Sequence, residues 1–129
     1  HKFHAENVSF KLLKTPEDPN WHYETLQEDV FTNTFHPGES ASMVLSSSTD
    51  VYVPGNKTSG LFVFRDAYGN VLSELVTEVT FNWKDIWMAE DTKTAELDIP
   101  RLPATAGEYV LELYFNGSFV TAFDITVAE

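Results

Sequence analysis

The chemistry open to this chain of 129 residues rests on four histidines, twenty acidic side chains, a few hydroxyls and three tryptophans. The His1 amine with the imidazoles of His1 and His4 is a donor set for copper, but such a site wants a further, distant histidine, and only His22 and His36 remain. The simpler reading leaves His4 as a solvated strand residue. Neither HExxH nor His-x₃₋₅-His spacing occurs, which excludes the common zinc-protease arrangement. Carboxylates come in pairs at Glu17-Asp18, Glu28-Asp29 and Glu90-Asp91, with Asp66 and Asp85 on other turns. Two pairs meeting at one end of a fold would offer hard oxygens to calcium or flank a glycosidic bond. Yet EF-hand spacing is missing, and Lys93 and Arg101 lie close to the third pair, so solvated loop acids account for them. Ser46-Ser47-Ser48 lacks the G-x-S-x-G surroundings of a nucleophile elbow. With no cysteine there is no thiol nucleophile, no Cys-ligated metal and no disulfide. These patterns predict a protein that is not an enzyme and carries no cofactor.

The aromatic residues are more informative. Trp21, His22 and Tyr23 follow a loop in an irregular polar stretch, and Trp87 sits in another. Rings with a polar handle, placed off the regular strands, suit protein and sugar interfaces, because one end is apolar and the other stays wet. The competing reading makes the tryptophans plugs for the open ends of a small β-sandwich.

The elements that must carry these residues are strands. Val8, Phe10 and Leu12 alternate with Ser9 and Lys11; Ala95, Leu97 and Ile99 repeat the pattern, as do Val79, Phe81 and Trp83. Leu61 to Phe64 is a continuous apolar run, expected as a central strand buried on both faces. Tyr109, Leu111, Leu113 and Phe115 alternate up to Asn116-Gly117, the preferred type I′ pair, and Phe119 to Val127 return with Phe123, Ile125 and Val127 in step. Pro37-Gly38, Pro54-Gly55 and Asp66 to Asn70 punctuate the rest. Glu24 to Val30 fits either a single helical turn or an irregular crossover between sheets, and Asp85 to Asp91 would also fit a short helical turn between strands. Phe62, Phe64, Phe81, Trp83 and Phe115 follow strand parity and belong to the core. Pro54, Pro100, Lys11 and short strands are expected to protect the sheet edges. The whole predicts an all-β fold, an antiparallel sandwich of about seven to nine strands forming a single domain over 1–129.

Leu97 to Leu111 resembles the E–F region of immunoglobulin-like domains, whose pattern runs Leu-x-Ile-x-x-Leu and then Asp-x-Gly-x-Tyr-x-Cys. Leu97, Ile99, Leu102, Gly107 and Tyr109 occupy matching slots, while Thr105 stands for the aspartate and Leu111 for the cysteine. The resemblance implies that Tyr109 is a tyrosine-corner residue, its hydroxyl bonded to nearby backbone. Lacking the cysteines, the chain is more similar to the cysteine-free immunoglobulin-like or fibronectin-III-like modules of bacterial surface proteins.

Charge narrows the partners. Eight basic against twenty acidic residues give −12, which disfavours nucleic acid and anionic membrane surfaces. No apolar run approaches the ~18–20 residues of a membrane span. Such an acidic surface keeps a secreted module soluble and monomeric. The chain opens on His1 rather than methionine, which fits a removed leader or an excised domain, both compatible with export. Three sequons, at Asn7, Asn56 and Asn116, would accept glycans in a eukaryotic secretory chain. The expectation is therefore a non-catalytic interaction or adhesion module of a secreted or cell-surface protein, binding a protein partner around Trp21, His22, Tyr23 and Trp87. Alternatives are a carbohydrate-binding module stacking sugars on those rings, a proteinase inhibitor presenting Thr49–Ser59 or Pro100–Ala106, and a spacer.

Overall fold

A computed structural model describes residues 8–22, 25–47, 57–86 and 89–129. Nine strands lie within them: β1 (Val8–Lys14), β2 (Thr34–Phe35), β3 (Ala41–Ser47), β4 (Lys57–Asp66), β5 (Thr77–Asn82), β6 (Lys84–Ile86), β7 (Ala89–Ile99), β8 (Gly107–Phe115) and β9 (Ser118–Val127). They form two sheets in a sandwich-like arrangement, a four-stranded one ordered β1-β3-β7-β6 and a five-stranded one ordered β2-β9-β8-β4-β5. Period-two alternation produces this directly. Leu12, Met43, Leu45, Ala95, Leu97 and Ile99 from the first sheet meet Phe62, Phe64, Leu111, Leu113, Phe115 and Ile125 from the second in one core. Phe81 and Trp83 join them, and the Trp83 indole N–H donates to Thr58 Oγ1 at 3.0 Å, so that the buried ring keeps a polar partner.

The expectation of a purely antiparallel fold needs correction. β2 pairs with β9 in parallel, Thr34 opposite Thr126 and Phe35 opposite Val127, so the five-stranded sheet is mixed. The cause is the chain path: β1 runs along the edge of one sheet, the crossover after it passes to the other, and β2 continues beside β9. A second correction concerns Asp85 to Asp91. Its described backbone is strand rather than helical turn, because β6 and β7 pair antiparallel with Ile86 opposite Ala89. The other expected turn is observed as a single 3-10 turn at Glu28–Val30. Within β4, Phe62, Val63 and Phe64 are buried while Leu61 is half-buried.

Two of the three turns assigned from Pro-Gly and Asn-Gly pairs are observed, Pro54-Gly55 lying outside the described residues. Gly38 takes φ 88° at the third position of the His36–Glu39 turn, and Asn116 and Gly117 take φ 49° and 88°, the type I′ pattern. Beyond that hairpin the register slips by one: Leu113 pairs with Thr121 but Tyr114 with Phe119, leaving Val120 as a bulge. One extra residue inverts side-chain parity. Val120 therefore packs on the core, and Phe119 is left 57% exposed. Of the expected edge guards, Lys11 lies on edge strand β1, whose rim is also covered by Phe31 bridging Leu13 and by the Thr32 N–H donating to the Leu12 carbonyl at 2.8 Å. Pro100 instead follows β7, an interior strand, and Pro54 lies outside the described residues.

Candidate functional site

The described residues between 15 and 33 cross from one sheet to the other with almost no regular structure, and the site is built from this crossover. Its first half is tied down by its own polar groups. Asp18 accepts the Asn20 N–H at 2.9 Å through its carboxylate and the Trp21 N–H at 3.2 Å through its carbonyl. The His22 carbonyl then accepts both the N–H and the hydroxyl of Thr25. These local bonds hold Trp21 half-buried and His22 exposed. Tyr23 and Trp87 lie outside the described residues, so of the four expected contact residues two are placed, side by side on the crossover.

Between the crossover and the end of β1 lies an open cleft of about 760 Å³. Leu13, Pro16, Leu26 and Val30 supply its apolar surface, with Lys14, Glu17, Asp29 and His36 among its polar lining. Trp21 and His22 do not line it; the loop they belong to does, through Thr25 to Gln27. The opposite wall is anchored to the four-stranded sheet. Thr15 N–H donates to the Ser40 carbonyl at 2.9 Å, and Thr15 Oγ1 lies 2.8 Å from Ser42 Oγ. The fully buried Ser42 hydroxyl in turn donates to Asp98 Oδ1 at 2.8 Å. Glu39 clasps the same wall, accepting the His36 N–H and pairing with Lys14 Nζ at 3.0 Å. The His36 backbone bond, then the Lys14 ammonium, hold the Glu39 carboxyl below its ordinary range. On the far side of the crossover, Lys11 pairs with Glu28 at 3.3 Å and sits 4.9 Å from the centre of the Phe31 ring.

The cleft offers apolar area with charged edges. Among the described residues no group of three or more His, Asp or Glu is placed to hold a metal ion. Glu17, Asp18, Glu28 and Asp29 are all exposed, and His22 and His36 belong to separate turns. Pro100 to Ala106 is fastened at its end, with Pro103 buried and the Tyr109 hydroxyl donating to the Thr105 carbonyl at 2.7 Å. Most of Thr49–Ser59 lies outside the described residues, as do Asn7 and Asn56; Asn116 is exposed on its turn, with Oδ1 accepting the Ser59 N–H at 3.2 Å. No helix among the described residues is long and apolar enough to cross a membrane.

Leu13, Leu26 and Val30 are contributors that residue chemistry alone overlooks, being ordinary aliphatics. The available signal was the length of the aperiodic stretch between two strands, since long irregular connections in compact folds are usually functional. No protein-family model matches the chain, and no curated protein matches it.

Proposed function

We propose that the chain is a cysteine-free immunoglobulin-like module, secreted or at a cell surface, that binds a protein partner without catalysis through the β1–β2 crossover and its cleft. Two features support the immunoglobulin-like assignment. With β1 and β2 taken as halves of a split first strand, the sheet orders reproduce the A-B-E-D and G-F-C sheets of that fold, β5 adding a C′ strand. The Tyr109–Thr105 bond supplies the tyrosine corner.

The observation that carries the binding role is the cleft itself. A rigid sheet anchors one wall through Thr15, Ser42 and Glu39, while the other is a loop carrying half-buried Trp21 and exposed His22. Binding residues gather on loops held by a scaffold, because strands are committed to packing. Apolar area rimmed by Lys14, Glu17, Asp29 and His36 suits a peptide segment, whose side chains and backbone need both kinds of contact.

The test is a parallel screen of arrayed extracellular proteins, arrayed glycans and a protease panel, using the chain and its Trp21→Ala variant. Binding to a protein that weakens about tenfold or more in the variant, with the thermal midpoint unchanged, supports the proposal. Glycan binding alone, or protease inhibition alone, would replace it with the corresponding alternative. A Trp21→Ala chain that loses stability but no affinity would make Trp21 a structural plug.

A further inference from the structure

The outer face of the five-stranded sheet carries a stripe of apolar side chains that the core does not use. In β4, Phe62 and Phe64 point inward, which turns the half-buried Leu61 outward; in β8, Leu111, Leu113 and Phe115 point inward, which turns the half-buried Tyr114 outward. Leu61 is paired with Tyr114, and Tyr114 with Phe119, so the stripe crosses three strands. The Tyr114 and Phe119 rings meet edge to face at 5.7 Å. Phe119 reaches this face only because Val120 is bulged; regular pairing would send it to the core. Bulges commonly re-aim a side chain for use, and exposing a phenylalanine is otherwise unfavourable.

Charge decides what can cover the stripe. Arg65 is balanced on the same face by Glu112, Nε to Oε1 at 2.8 Å. Glu78, opposite Leu61, and Asp124 and Glu108 further along then stand against Lys57 at the start of β4. A second copy would bring those carboxylates against their equivalents, in a chain already at −12. We infer that this face docks a different protein, one whose contact surface has an apolar centre flanked by lysine or arginine. The site is separate from the crossover cleft and would operate whether or not the cleft binds anything.

The experiment is an amide-resolved NMR titration of the whole chain with three short synthetic peptides. One alternates lysine with leucine and tryptophan, one alternates glutamate with the same apolar residues, and one alternates lysine with serine. The expected result is that the first peptide perturbs amides around Leu61, Tyr114 and Phe119, far more strongly than the other two. Its affinity falls about tenfold or more in Phe119→Ser, falls in Glu78→Lys and at high salt, and is unchanged in Trp21→Ala. Glu78→Lys alters an exposed charge and leaves the apolar stripe intact, so its effect does not depend on how Phe119→Ser folds. No binding by the first peptide, perturbations confined to another face, or equal binding of the glutamate peptide would overturn the inference. So would a dimer in the ultracentrifuge that Phe119→Ser dissolves, which would assign the face to a second copy.

Discussion

The Tyr109 hydroxyl donates to the carbonyl of Thr105, four residues upstream, at 2.7 Å, closing the turn that leads from β7 into β8. This bond fastens a connection that runs from one sheet to the other. Tyr109→Phe keeps the ring and removes only the donor. It is expected to lower unfolding free energy by about 1 kcal/mol, the usual net value of one such bond, read by urea denaturation with an unchanged m-value.

The Ser42 hydroxyl is buried between Thr15 and Asp98, joining the crossover to β3 and β7. Ser42→Ala is expected to cost about 1–3 kcal/mol, because Thr15 and Asp98 both lose their shared partner. The cleft wall loosens with it. Hydrogen exchange should therefore quicken at the start of the crossover more than in β8 and β9, whereas a uniform change would contradict the anchoring role.

Two carboxylates make stability depend on acid. Backbone N–H groups, that of Asn70 first, hold the Asp66 carboxyl below its ordinary range, as the His36 backbone bond and Lys14 do for Glu39. A folded-state pKa below the unfolded one means the stabilisation is present at neutral pH. It disappears as pH falls from the ordinary carboxylate range through the depressed folded values. Both groups are partly open to solvent, so the effect is modest and weakens with salt. Asp66→Asn with Glu39→Gln should flatten the acid limb of the melting-temperature profile, and an unaltered limb would contradict these assignments.

Gly117 holds φ 88° in the β8–β9 turn, where a Cβ meets no neighbouring atom but the backbone itself is strained for other residues. Gly117→Ala is expected to destabilise by about 1–2 kcal/mol. A smaller loss on thermal denaturation would mean the turn can relax to another type.

Alternation makes β1, β7 and β8 legible from residue order alone, because Val8, Phe10 and Leu12, then Ala95, Leu97 and Ile99, then Leu111, Leu113 and Phe115 recur at every second position on the core face. Tyr109 is legible for a different reason, its spacing from Gly107 and Leu102. Phe119 is not, since a single bulged residue reverses parity and neither Phe119 nor Val120 announces which of them is extra. The parallel β2–β9 pair is equally hidden: two residues, Thr34 and Phe35, are too few for any period, and their partner lies at the far end of the chain. Trp21 and His22 stand out by residue type, but the cleft beside them does not, because its surface is ordinary Leu13, Leu26 and Val30 brought together by the crossover.

The most direct test of the binding role is an amide hydrogen-exchange footprint of the chain with the tightest protein ligand from the array. Slowed exchange over residues 15–33 and at the His36–Glu39 turn is the expected result. Exchange there identical in free and bound chain, with protection elsewhere, would contradict a crossover-borne site.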